Sequence, residues 1–249
     1  MSKNWMITKP RNPERESIEE CNILQWILNR DVHKWIVAKE RGTFGYEHWQ
    51  IRIQCNLSFD EMKQEWGENA HIEEASDNYE YERKEGRFIA SSDTVHTLQS
   101  RFGDLRPNQR RILNRTDMQS DRGVTVVVDH KGNNGKSWLC RYLYENGRAL
   151  YVPPTIKSAQ GIIQFIASGY RGEEYIIIDI PRSTRWSSDL YVAVETVKDG
   201  LVYDTRYSAR TRNIYGVKVL VMCNTKPNVA KLSADRWDLI DQEGRGLLS

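Results

Sequence analysis

Along the first part of the chain, hydrophobic and polar residues alternate with the period of a β-strand. The clearest case is Tyr46–Gln54, in which Trp49, Ile51 and Ile53 share one face. The opposite face is polar and carries His48, Gln50, Arg52 and Gln54. A period of two predicts a strand, and Lys34–Lys39 before a glycine-containing turn predicts its hairpin partner. Because one face is entirely polar, we expect that face to carry a site and not a second core layer.

The other patterns of this region predict a compact α+β domain. The predicted elements are a strand at Trp5–Thr8, a helix at Ser17–Asn29, a helix at Ser58–Trp66, a strand at Ala70–Ala75, a helix at Asp77–Glu85 and a strand at Phe88–Ser92. Ser17 precedes Glu20 by three positions, which predicts a capping box at the start of the first helix. Ser58 is expected to open a second capped helix, and Asp77 to cap the third. The apolar stripe that should pack the first helix on the sheet consists of Ile18, Cys21, Leu24 and Leu28. This order of elements is of the split-βαβ type.

Further along the chain the hydrophobic residues form continuous runs. Four runs predict buried strands, namely Val124–Val128, Ala149–Val152, Tyr175–Ile180 and Val217–Cys223. Such strands alternate with helical segments, which indicates an α/β domain with a parallel sheet. The basic, helical stretch Thr94–Asn114 is expected to separate the two domains. The predicted boundaries are 1–92 for the α+β domain, 93–116 for a helical linker or oligomerisation segment, and 117–249 for the α/β domain.

Composition adds few constraints. The 249 residues are 39% hydrophobic and 28% charged with a net charge of +2, which fits a soluble globular protein and does not by itself require nucleic acid. The charge is uneven, because Arg106–Arg111 is basic whereas Glu61–Glu85 is mostly acidic. The four cysteines have no metal-ligand spacing, which favours a reducing intracellular compartment. No signal peptide and no apolar run of membrane-spanning length are recognisable, so no membrane partner is expected.

A glycine-rich turn with a Gly-Lys-Ser sequence follows Val124–Val128 directly. Its residues are Gly132, Asn133, Asn134, Gly135, Lys136 and Ser137. Strand, glycine-rich turn and helix form a phosphate-binding loop, in which backbone N–H groups hold phosphates, the lysine neutralises them and the serine ligates Mg²⁺. The usual first glycine is His130 here, so we expect Gly132 to make the tight turn. The alternative is a polar hairpin that contains Gly-Lys-Ser and binds no nucleotide.

The polar face of the predicted hairpin offers ligands for a metal ion. His48 and Gln50 are two positions apart on one strand face, and Glu40 at the end of the preceding strand is expected to reach the same face. A carboxylate, an imidazole and an amide carbonyl could together hold Mg²⁺ or Mn²⁺, because oxygen ligands suit hard cations. The alternative is an ordinary surface histidine on a polar sheet face.

A tyrosine and a lysine on the third predicted helix suggest a nucleophile. Tyr81 and Lys84 are three positions apart and would share a helix face. A phenol can attack a phosphodiester when a metal polarises the phosphate and a nearby cation stabilises the phenolate. The alternative is an exposed amphipathic helix with two ordinary side chains, and Tyr79 is a rival nucleophile that would face elsewhere.

The order of these motifs resembles that of a single protein family. WMIT (Trp5–Thr8), HWQ (His48–Gln50), YERK (Tyr81–Lys84) and the Gly-Lys-Ser loop occur in the order found in the replication initiators, or Rep proteins, of circular Rep-encoding single-stranded DNA viruses. The chain is most similar to the circovirus, nanovirus and smacovirus types, with the smacovirus type preferred, over nearly its whole length. The resemblance implies that the α+β domain is an HUH endonuclease. It implies that the α/β domain is a P-loop domain, a superfamily 3 helicase of the AAA+ kind.

The resemblance also implies roles for residues of the first domain. Tyr81 matches the nucleophile that becomes linked to DNA, and Lys84 matches its accompanying lysine. Glu40, His48 and Gln50 match the ligands of the catalytic Mg²⁺ or Mn²⁺. WMIT matches the first rolling-circle motif, whose role is structural and in DNA contact.

In the second domain the matches concern ATP. Gly132–Ser137 matches Walker A, Asp179 matches the Walker B carboxylate, and Asn224 matches the motif C residue that senses the γ-phosphate. Arg236 matches an arginine finger that acts on the ATP of the neighbouring subunit, and a surface arginine paired with Asp235 or Asp238 is the alternative. Walker B has Ile180 where many relatives carry a second acid, which leaves the general base for hydrolysis open.

A basic-aromatic segment between Walker B and motif C matches the position of a DNA-binding hairpin in such helicases. The residues are Lys198-Asp199-Gly200 and Arg206-Tyr207. A cation next to an aromatic ring suits single-stranded DNA, and an ordinary solvated hairpin is the alternative.

Taken together, the matches imply a rolling-circle replication initiator that nicks and rejoins origin single-stranded DNA through a tyrosine 5′-phosphate and unwinds DNA with ATP. They imply a homo-oligomeric ring, of hexameric type, that works with the host replication machinery in the host nucleus. Two other hypotheses stay open: a nucleotide-switched DNA-binding regulator that cleaves no strand, and an ATPase whose first domain binds protein. A nicking assay on single-stranded DNA with Mn²⁺ separates the first hypothesis from both others.

Overall fold

Two compact units make up the chain, Met1–Phe102 and Gly103–Ser249. The computed structural model describes residues 2–30, 32–42, 44–206 and 209–247. Each unit has its own sheet and its own hydrophobic core. None of the helices in these ranges is long and apolar enough to cross a membrane.

The first unit is an antiparallel sheet with α-helices. Its strands are β1 (Lys3–Pro10), β2 (Lys34–Arg41), β3 (Glu47–Cys55), β4 (His71–Glu74) and β5 (Phe88–Ala90), and its helices are α1 (Glu16–Leu28), α2 (Phe59–Trp66) and α3 (Val95–Phe102). The strand order is β4-β1-β3-β2-β5, so β3 lies at the centre. Trp49, Ile51 and Ile53 of β3 are fully buried and pack with hydrophobic residues of α1 and α2. The predicted apolar face of β3 is therefore confirmed. The polar face is not simply solvent-exposed, because Gln50 and Arg52 are 4% and 6% exposed and a small cluster of Ile36, Ala38 and Phe88 packs on that side.

The predicted packing face of α1 is only partly correct, since Leu24 packs against the core whereas Cys21 is exposed. Ile23 and Ile27 are the buried residues of this helix, whereas Ile18 and Leu28 of the predicted stripe are exposed. Glu19, one turn before Ile23, accepts a hydrogen bond at 2.8 Å from the indole nitrogen of a tryptophan in β3. The helix is rotated because its acidic first turn is anchored to the sheet by polar contacts, which the apolar pattern does not show.

The predicted cap of α2 is present and has the form of a capping box. The hydroxyl of Ser58 accepts the backbone N–H of Glu61, whose carboxylate accepts the backbone N–H of Ser58 at 2.7 Å. Ser17 is not the N-cap of α1, because the 3₁₀ turn Pro13–Arg15 runs directly into the helix at Glu16.

The predicted helix Asp77–Glu85 is wrong. Only one 3₁₀ turn, Tyr81–Arg83, forms there. Asp77, the expected cap, binds the ammonium group of Lys34. The side-chain oxygen of Asn78 accepts a backbone N–H two residues on, and such a bond competes with helix formation. Contacts with β2 and local turn bonds therefore override the helical pattern.

The second unit is a parallel sheet with helices on both faces. Its strands are β6 (Val124–Val128), β7 (Ala149–Val152), β8 (Tyr175–Asp179), β9 (Leu201–Asp204), β10 (Arg210–Asn213), β11 (Lys218–Cys223) and β12 (Trp237–Asp241). Its helices are α4 (Pro107–Asp117), α5 (Lys136–Glu145), α6 (Ala159–Gly169) and α7 (Ser188–Asp199). The parallel strand order is β12-β6-β11-β8-β7, while β9 and β10 form a separate antiparallel hairpin. Hydrophobic residues of α4 and α5 pack in one core cluster, and those of α6 and α7 pack in another.

The four strands predicted for this unit are confirmed as neighbours in one parallel sheet, and β12 is an additional strand. Its sequence, WDLID, mixes apolar and acidic residues, so it does not form the continuous apolar run that predicts the other strands of this sheet. The α+β and α/β character predicted from the sequence is therefore present, as one antiparallel and one parallel sheet, each with helices.

The segment 93–116, predicted as a linker, contains α3 and most of α4. Arg101 of α3 is buried and donates to the backbone oxygen of Phe88 at 2.9 Å and to the carboxylate of Asp93 at 2.7 Å, all within the first unit. Ile112 and Leu113 of α4 belong to a core cluster of the second unit.

Candidate active sites

The polar face of the first sheet brings together the three predicted metal ligands. Glu40 of β2 and His48 of β3 are directly paired across the ladder, and directly opposed residues share a face. The Nε2 atom of His48 lies 3.6 Å from Oε2 of Glu40. Gln50 is two positions along β3 on the same face, and its Oε1 accepts a hydrogen bond from the hydroxyl of Thr8 at 2.9 Å.

Glu40 is only 3% exposed, and one of its two carboxylate oxygens lacks a hydrogen-bond partner among the described residues. Oε2 accepts a hydrogen bond from Lys84, whereas Oε1 is buried with no hydrogen-bond partner among the described residues. Burial raises the pKa of Glu40, and Lys84 opposes this shift. A buried oxygen without a hydrogen bond lowers the stability of the fold. A cation between Glu40, His48 and Gln50 would give Oε1 of Glu40 a partner.

The donor set of this face therefore fits a hard divalent cation. The three ligands would be the carboxylate of Glu40, the imidazole of His48 and the amide oxygen of Gln50. In the described part of the chain, no group of three or more His, Cys, Asp or Glu side chains could hold a metal ion. A site here thus depends on the glutamine oxygen as a ligand, which Mg²⁺ and Mn²⁺ accept.

Lys84 connects the tyrosine turn to this cluster. Its ammonium lies 2.7 Å from Oε2 of Glu40 and 3.6 Å from the centre of the Tyr81 ring. Burial lowers the pKa of Lys84, but hydrogen bonds to Glu40 and Tyr81 outweigh it and hold the pKa above its usual value. Residues i and i+3 of a 3₁₀ turn lie one above the other. Tyr81 and Lys84 therefore share a face even though the predicted α-helix is absent, and Tyr81 remains 54% exposed.

Tyr79, the rival nucleophile, is engaged in structural contacts. Its hydroxyl donates a hydrogen bond to Oδ1 of Asn4 at 3.1 Å. The ammonium of Lys34 lies 4.3 Å from the ring centre, and the guanidinium of Arg52 lies 5.7 Å from it. Burial raises the pKa of Tyr79, which disfavours the phenolate that an attack on phosphorus requires.

Arg52 and Glu82 form a buried ion pair that sequence reasoning missed. Nε and Nη2 of Arg52 lie 2.9 and 2.8 Å from Oε1 of Glu82, and the two side chains are 7% and 0% exposed. Arg52 also donates to the backbone oxygen of Ser76 at 2.8 Å. The pair fixes the turn that carries Tyr81 onto β3. The presence of Arg52 on the polar face of β3 was the available signal, but its partner lies 30 residues away.

In the second unit, the glycine-rich loop runs from the end of β6 to the start of α5. Gly132 and Gly135 both have φ of 82°, and Asn133 has φ of 61°, in the left-handed region that favours glycine and tolerates asparagine. Gly132 thus makes the turn, as predicted. A Cβ at Gly135 would lie 2.8 Å from Nε2 of Gln109, which itself donates to the backbone oxygen of Gly135 at 3.1 Å. This buried contact from α4 was not visible in the sequence.

Asp129, a second residue that sequence reasoning missed, lies inside the loop and is fully buried. Oδ1 accepts the backbone N–H of Gly132 and the side-chain amide of Asn134, both at 2.8 Å, and Oδ2 accepts the ammonium of Lys136 at 2.8 Å. Burial alone would raise the pKa of Asp129, but these three donors hold it below its usual value. An acidic residue directly after a buried strand was the only signal.

The other predicted nucleotide ligands lie at the carboxyl ends of neighbouring strands. β11 lies between β6 and β8. Asn224 follows β11 and donates to the backbone oxygen of Asp129 at 2.6 Å. Asp179 ends β8 and accepts a hydrogen bond from the hydroxyl of Tyr151 at 3.2 Å, while burial raises its pKa. Ligands of open α/β sheets bind outside this edge.

Two further predicted residues lie near the same edge. Ser137 is exposed in the first turn of α5, where a helix N-terminus favours anions. Ile180, where the resemblance led us to expect a second acid, is buried in the core. The position beside Asp179 therefore offers no carboxylate and points its side chain into apolar packing.

Arg236 does not project from the surface of the described chain. It is 3% exposed, with Nη2 2.7 Å from Oδ1 of Asp199 and Nε 3.3 Å from Oε1 of Glu195, both on α7. A finger that enters a neighbouring subunit must leave such contacts. The finger role stays a prediction that requires these two ion pairs to break.

The residues predicted to contact DNA in the second unit lie around the β9–β10 hairpin. Arg206 pairs with Asp204 at 2.7 Å, and Lys198 is buried, donating to the backbone oxygen of Val217 at 3.2 Å. Tyr207 lies outside the described residues. Gly200 ends α7 with φ of 86° and begins the turn into β9.

No family model matches the chain. The "Para-Rep C7" protein of Faba bean necrotic yellows C7 alphasatellite is 31% identical over 143 residues, which is 55% of this chain and 48% of the relative. The "Para-Rep C10" protein of Milk vetch dwarf C10 alphasatellite is 30% identical over 142 residues, again 55% and 48% of the two chains. The "Master replication protein" of Banana bunchy top virus is 28% identical over 119 residues, 48% of this chain and 39% of the relative.

These similarities extend over about half of the length of the curated relatives that the chain matches. They concern replication proteins of alphasatellites and of a nanovirus, whereas the preference for the smacovirus type stays a prediction. Over about half of its length the chain is thus a homologue of nanovirus and alphasatellite Rep proteins, which confirms the resemblance predicted from its sequence.

Proposed function

We propose that the chain is a rolling-circle replication initiator that nicks and rejoins single-stranded DNA with its first unit and hydrolyses ATP with its second. The observation that carries the first half is the position of Lys84, whose ammonium contacts both the Tyr81 ring and the carboxylate of Glu40. A nucleophile, a cation and a candidate metal ligand thereby lie in one cluster. The names of the homologous proteins support the replication role.

In the proposed nicking step, the phenol oxygen of Tyr81 forms a bond to phosphorus and the P–O3′ bond breaks. Overall, a proton passes from the phenol to the released 3′ oxygen, so the products are a 5′-phosphotyrosine and a free 3′-OH. Lys84 stabilises the negative charge that develops on the phenol oxygen. Attack by a 3′-OH on the phosphotyrosine is the reverse reaction and rejoins the strand.

The metal-binding face supports the same step. A Mg²⁺ or Mn²⁺ ion bound by Glu40, His48 and Gln50 would polarise the scissile phosphate. Thr8 holds the Gln50 amide with its oxygen fixed on this face. The Arg52–Glu82 pair keeps the Tyr81 turn on the same sheet, which supplies the positioning on which such reactions depend.

We propose that the second unit binds ATP with Mg²⁺ at the carboxyl edge of its sheet. Gly132–Ser137 would hold the phosphates through backbone N–H groups, the Lys136 ammonium and the Ser137 hydroxyl. Asp179 would orient the water and cation, and Asn224 the γ-phosphate. The buried Ile180 beside Asp179 favours slow turnover, because no second carboxylate is available there as a base.

The partners follow from the proposed activity and not from contacts of the described residues. They are an origin single strand, further copies of this chain in a ring of hexameric type, and the host replication machinery in the nucleus. Measurement of mass by light scattering with and without ATP tests the ring.

The decisive test is a nicking assay on origin-containing single-stranded DNA with Mn²⁺. Tyr81→Phe should abolish the covalent protein–DNA adduct because it removes the attacking oxygen and little else. Tyr79→Phe, the matched control, should retain the adduct. If Tyr81→Phe still forms an adduct, the assignment fails. If the unaltered chain binds DNA and nucleotide but forms no adduct, the chain is instead a nucleotide-switched DNA-binding regulator.

A further inference from the structure

A buried carboxylate occupies the interior of the nucleotide loop. Asp129 contacts three loop residues through one side chain: Gly132 by its backbone N–H, Asn134 by its side-chain amide, and Lys136 by its ammonium, each at 2.8 Å. Its backbone is also fixed, since the amide of Asn224 donates to its oxygen at 2.6 Å. Asp129 is fully buried, and the Lys136 side chain is 13% exposed.

The donors that Asp129 uses are of the kind that a nucleotide phosphate needs. Loop N–H groups and the loop lysine are the groups that cradle the phosphates of a bound nucleotide. Here Lys136 directs its charge to Oδ2 of Asp129. Asp129 thus takes the place of a nucleotide phosphate as the anion that pairs with Lys136.

We propose that Asp129 competes with the nucleotide for Lys136, so that binding of the phosphates must break the Lys136–Asp129 ion pair. The inference rests on the proposed binding of ATP at this loop. Oδ1 keeps its bonds to Gly132 and Asn134 during the exchange, because those donors are separate from Lys136. The loop therefore holds its shape while its lysine changes partner, and Asp129 sets how weakly the loop holds nucleotide.

A purely structural Asp129 makes the opposite prediction. If the carboxylate only shaped the loop, its removal would disorder Gly132–Gly135 and weaken nucleotide binding. If it acts as a competitor, neutralising it leaves Lys136 free for the phosphates and strengthens binding. The sign of the change in affinity therefore decides between the two roles.

The test is the dissociation constant of a fluorescent ADP analogue for the full chain and for Asp129→Asn and Asp129→Ser, both of which keep an oxygen that can accept the N–H of Gly132. Competition predicts binding at least about tenfold tighter in both variants, because one charge-assisted hydrogen bond no longer has to be broken. The same neutral substitution in a Lys136→Met background should change affinity little.

Four outcomes overturn the proposal. Unchanged or weaker binding by folded Asp129→Asn rejects competition, as does failure of both neutral variants to fold, which would show a structural role. An equal gain in the Lys136→Met background would assign the effect to general charge repulsion and not to Lys136. If neither the unaltered chain nor the variants bind nucleotide, the proposed ATP function fails as well. If the unaltered chain binds nucleotide but the variants bind it no more tightly, only the competition between Asp129 and the phosphates is rejected.

Discussion

Replacement of Glu82 by glutamine should loosen the turn that carries the candidate nucleophile. The carboxylate is fully buried, and its Oε1 accepts the Nε–H of Arg52 at 2.9 Å and lies 2.8 Å from Nη2. Glu82→Gln keeps one acceptor oxygen but leaves the guanidinium charge uncompensated at a site that is 7% exposed. Removal of one partner of a buried ion pair typically costs about 3–5 kcal/mol.

The lower end of that range applies here. Arg52 keeps its bond to the backbone oxygen of Ser76, and the glutamine oxygen can still accept one hydrogen bond. A loss of about 3 kcal/mol corresponds to roughly a hundredfold increase in opening of the turn. Since a small misplacement of a reacting group can reduce a rate by about a hundredfold, nicking should fall strongly as well.

Native-state hydrogen exchange followed by mass spectrometry measures the opening directly, through the amides of β3 and of Tyr81–Lys84. The matched control is Glu80→Gln, because the Glu80 side chain is 57% exposed and its Oε2 lies 3.9 Å from Nε of Arg83; it should alter stability by less than about 0.5 kcal/mol. The double variant Arg52→Met with Glu82→Leu should regain much of the protection, because no buried charge remains. If Glu82→Gln exchanges and nicks like Glu80→Gln, the positioning argument is refuted.

Three further substitutions separate the two activities. His48→Ala should lower Mn²⁺-dependent nicking at least about a hundredfold while sparing the fold, since metal catalysis is worth several kcal/mol; an unchanged rate at saturating Mn²⁺ would exclude His48 as a ligand. Lys136→Ala should abolish ATP hydrolysis and leave nicking of single strands intact, and loss of both would show that the sites are coupled. Arg236→Ala should lose hydrolysis but keep ATP binding, and mixing it with Lys136→Ala subunits should restore part of the rate. A lowered melting temperature with retained hydrolysis would instead assign Arg236 to its ion pairs with Asp199 and Glu195.

The sheets were predictable because their signal is local and repeated. Trp49, Ile51 and Ile53 mark the buried face of β3 by alternation, and the runs Val124–Val128 and Tyr175–Ile180 mark strands covered on both faces. Each pattern depends on which faces of a single strand are buried. It does not depend on which strands lie beside it in the sheet. The strand β12 was not predicted because two of its five residues are acidic.

The turn at Tyr81–Arg83 was not predictable in the same way. The contacts that decide it join Asp77 to Lys34 and Glu82 to Arg52, across 43 and 30 residues of chain. No local pattern encodes such partners, and a stretch rich in acidic and aromatic residues looks helical without them. The proximity of Tyr81 and Lys84 was nevertheless predicted, since a spacing of three aligns side chains in a 3₁₀ turn as well as in an α-helix.

The two candidate sites share one feature that motifs do not report. In each unit the lysine assigned to the candidate chemistry is already bound to a buried carboxylate, Lys84 to Glu40 at 2.7 Å and Lys136 to Asp129 at 2.8 Å. A motif identifies the lysine because its chemistry is required, whereas the carboxylate can come from any element that the fold brings near. In each pair the carboxylate orients the ammonium, and in the competition proposed for Asp129 it also opposes the binding of Lys136 to a nucleotide phosphate. On that proposal, the affinity of the second unit for nucleotide depends on the residue that holds Lys136 as well as on Lys136 itself.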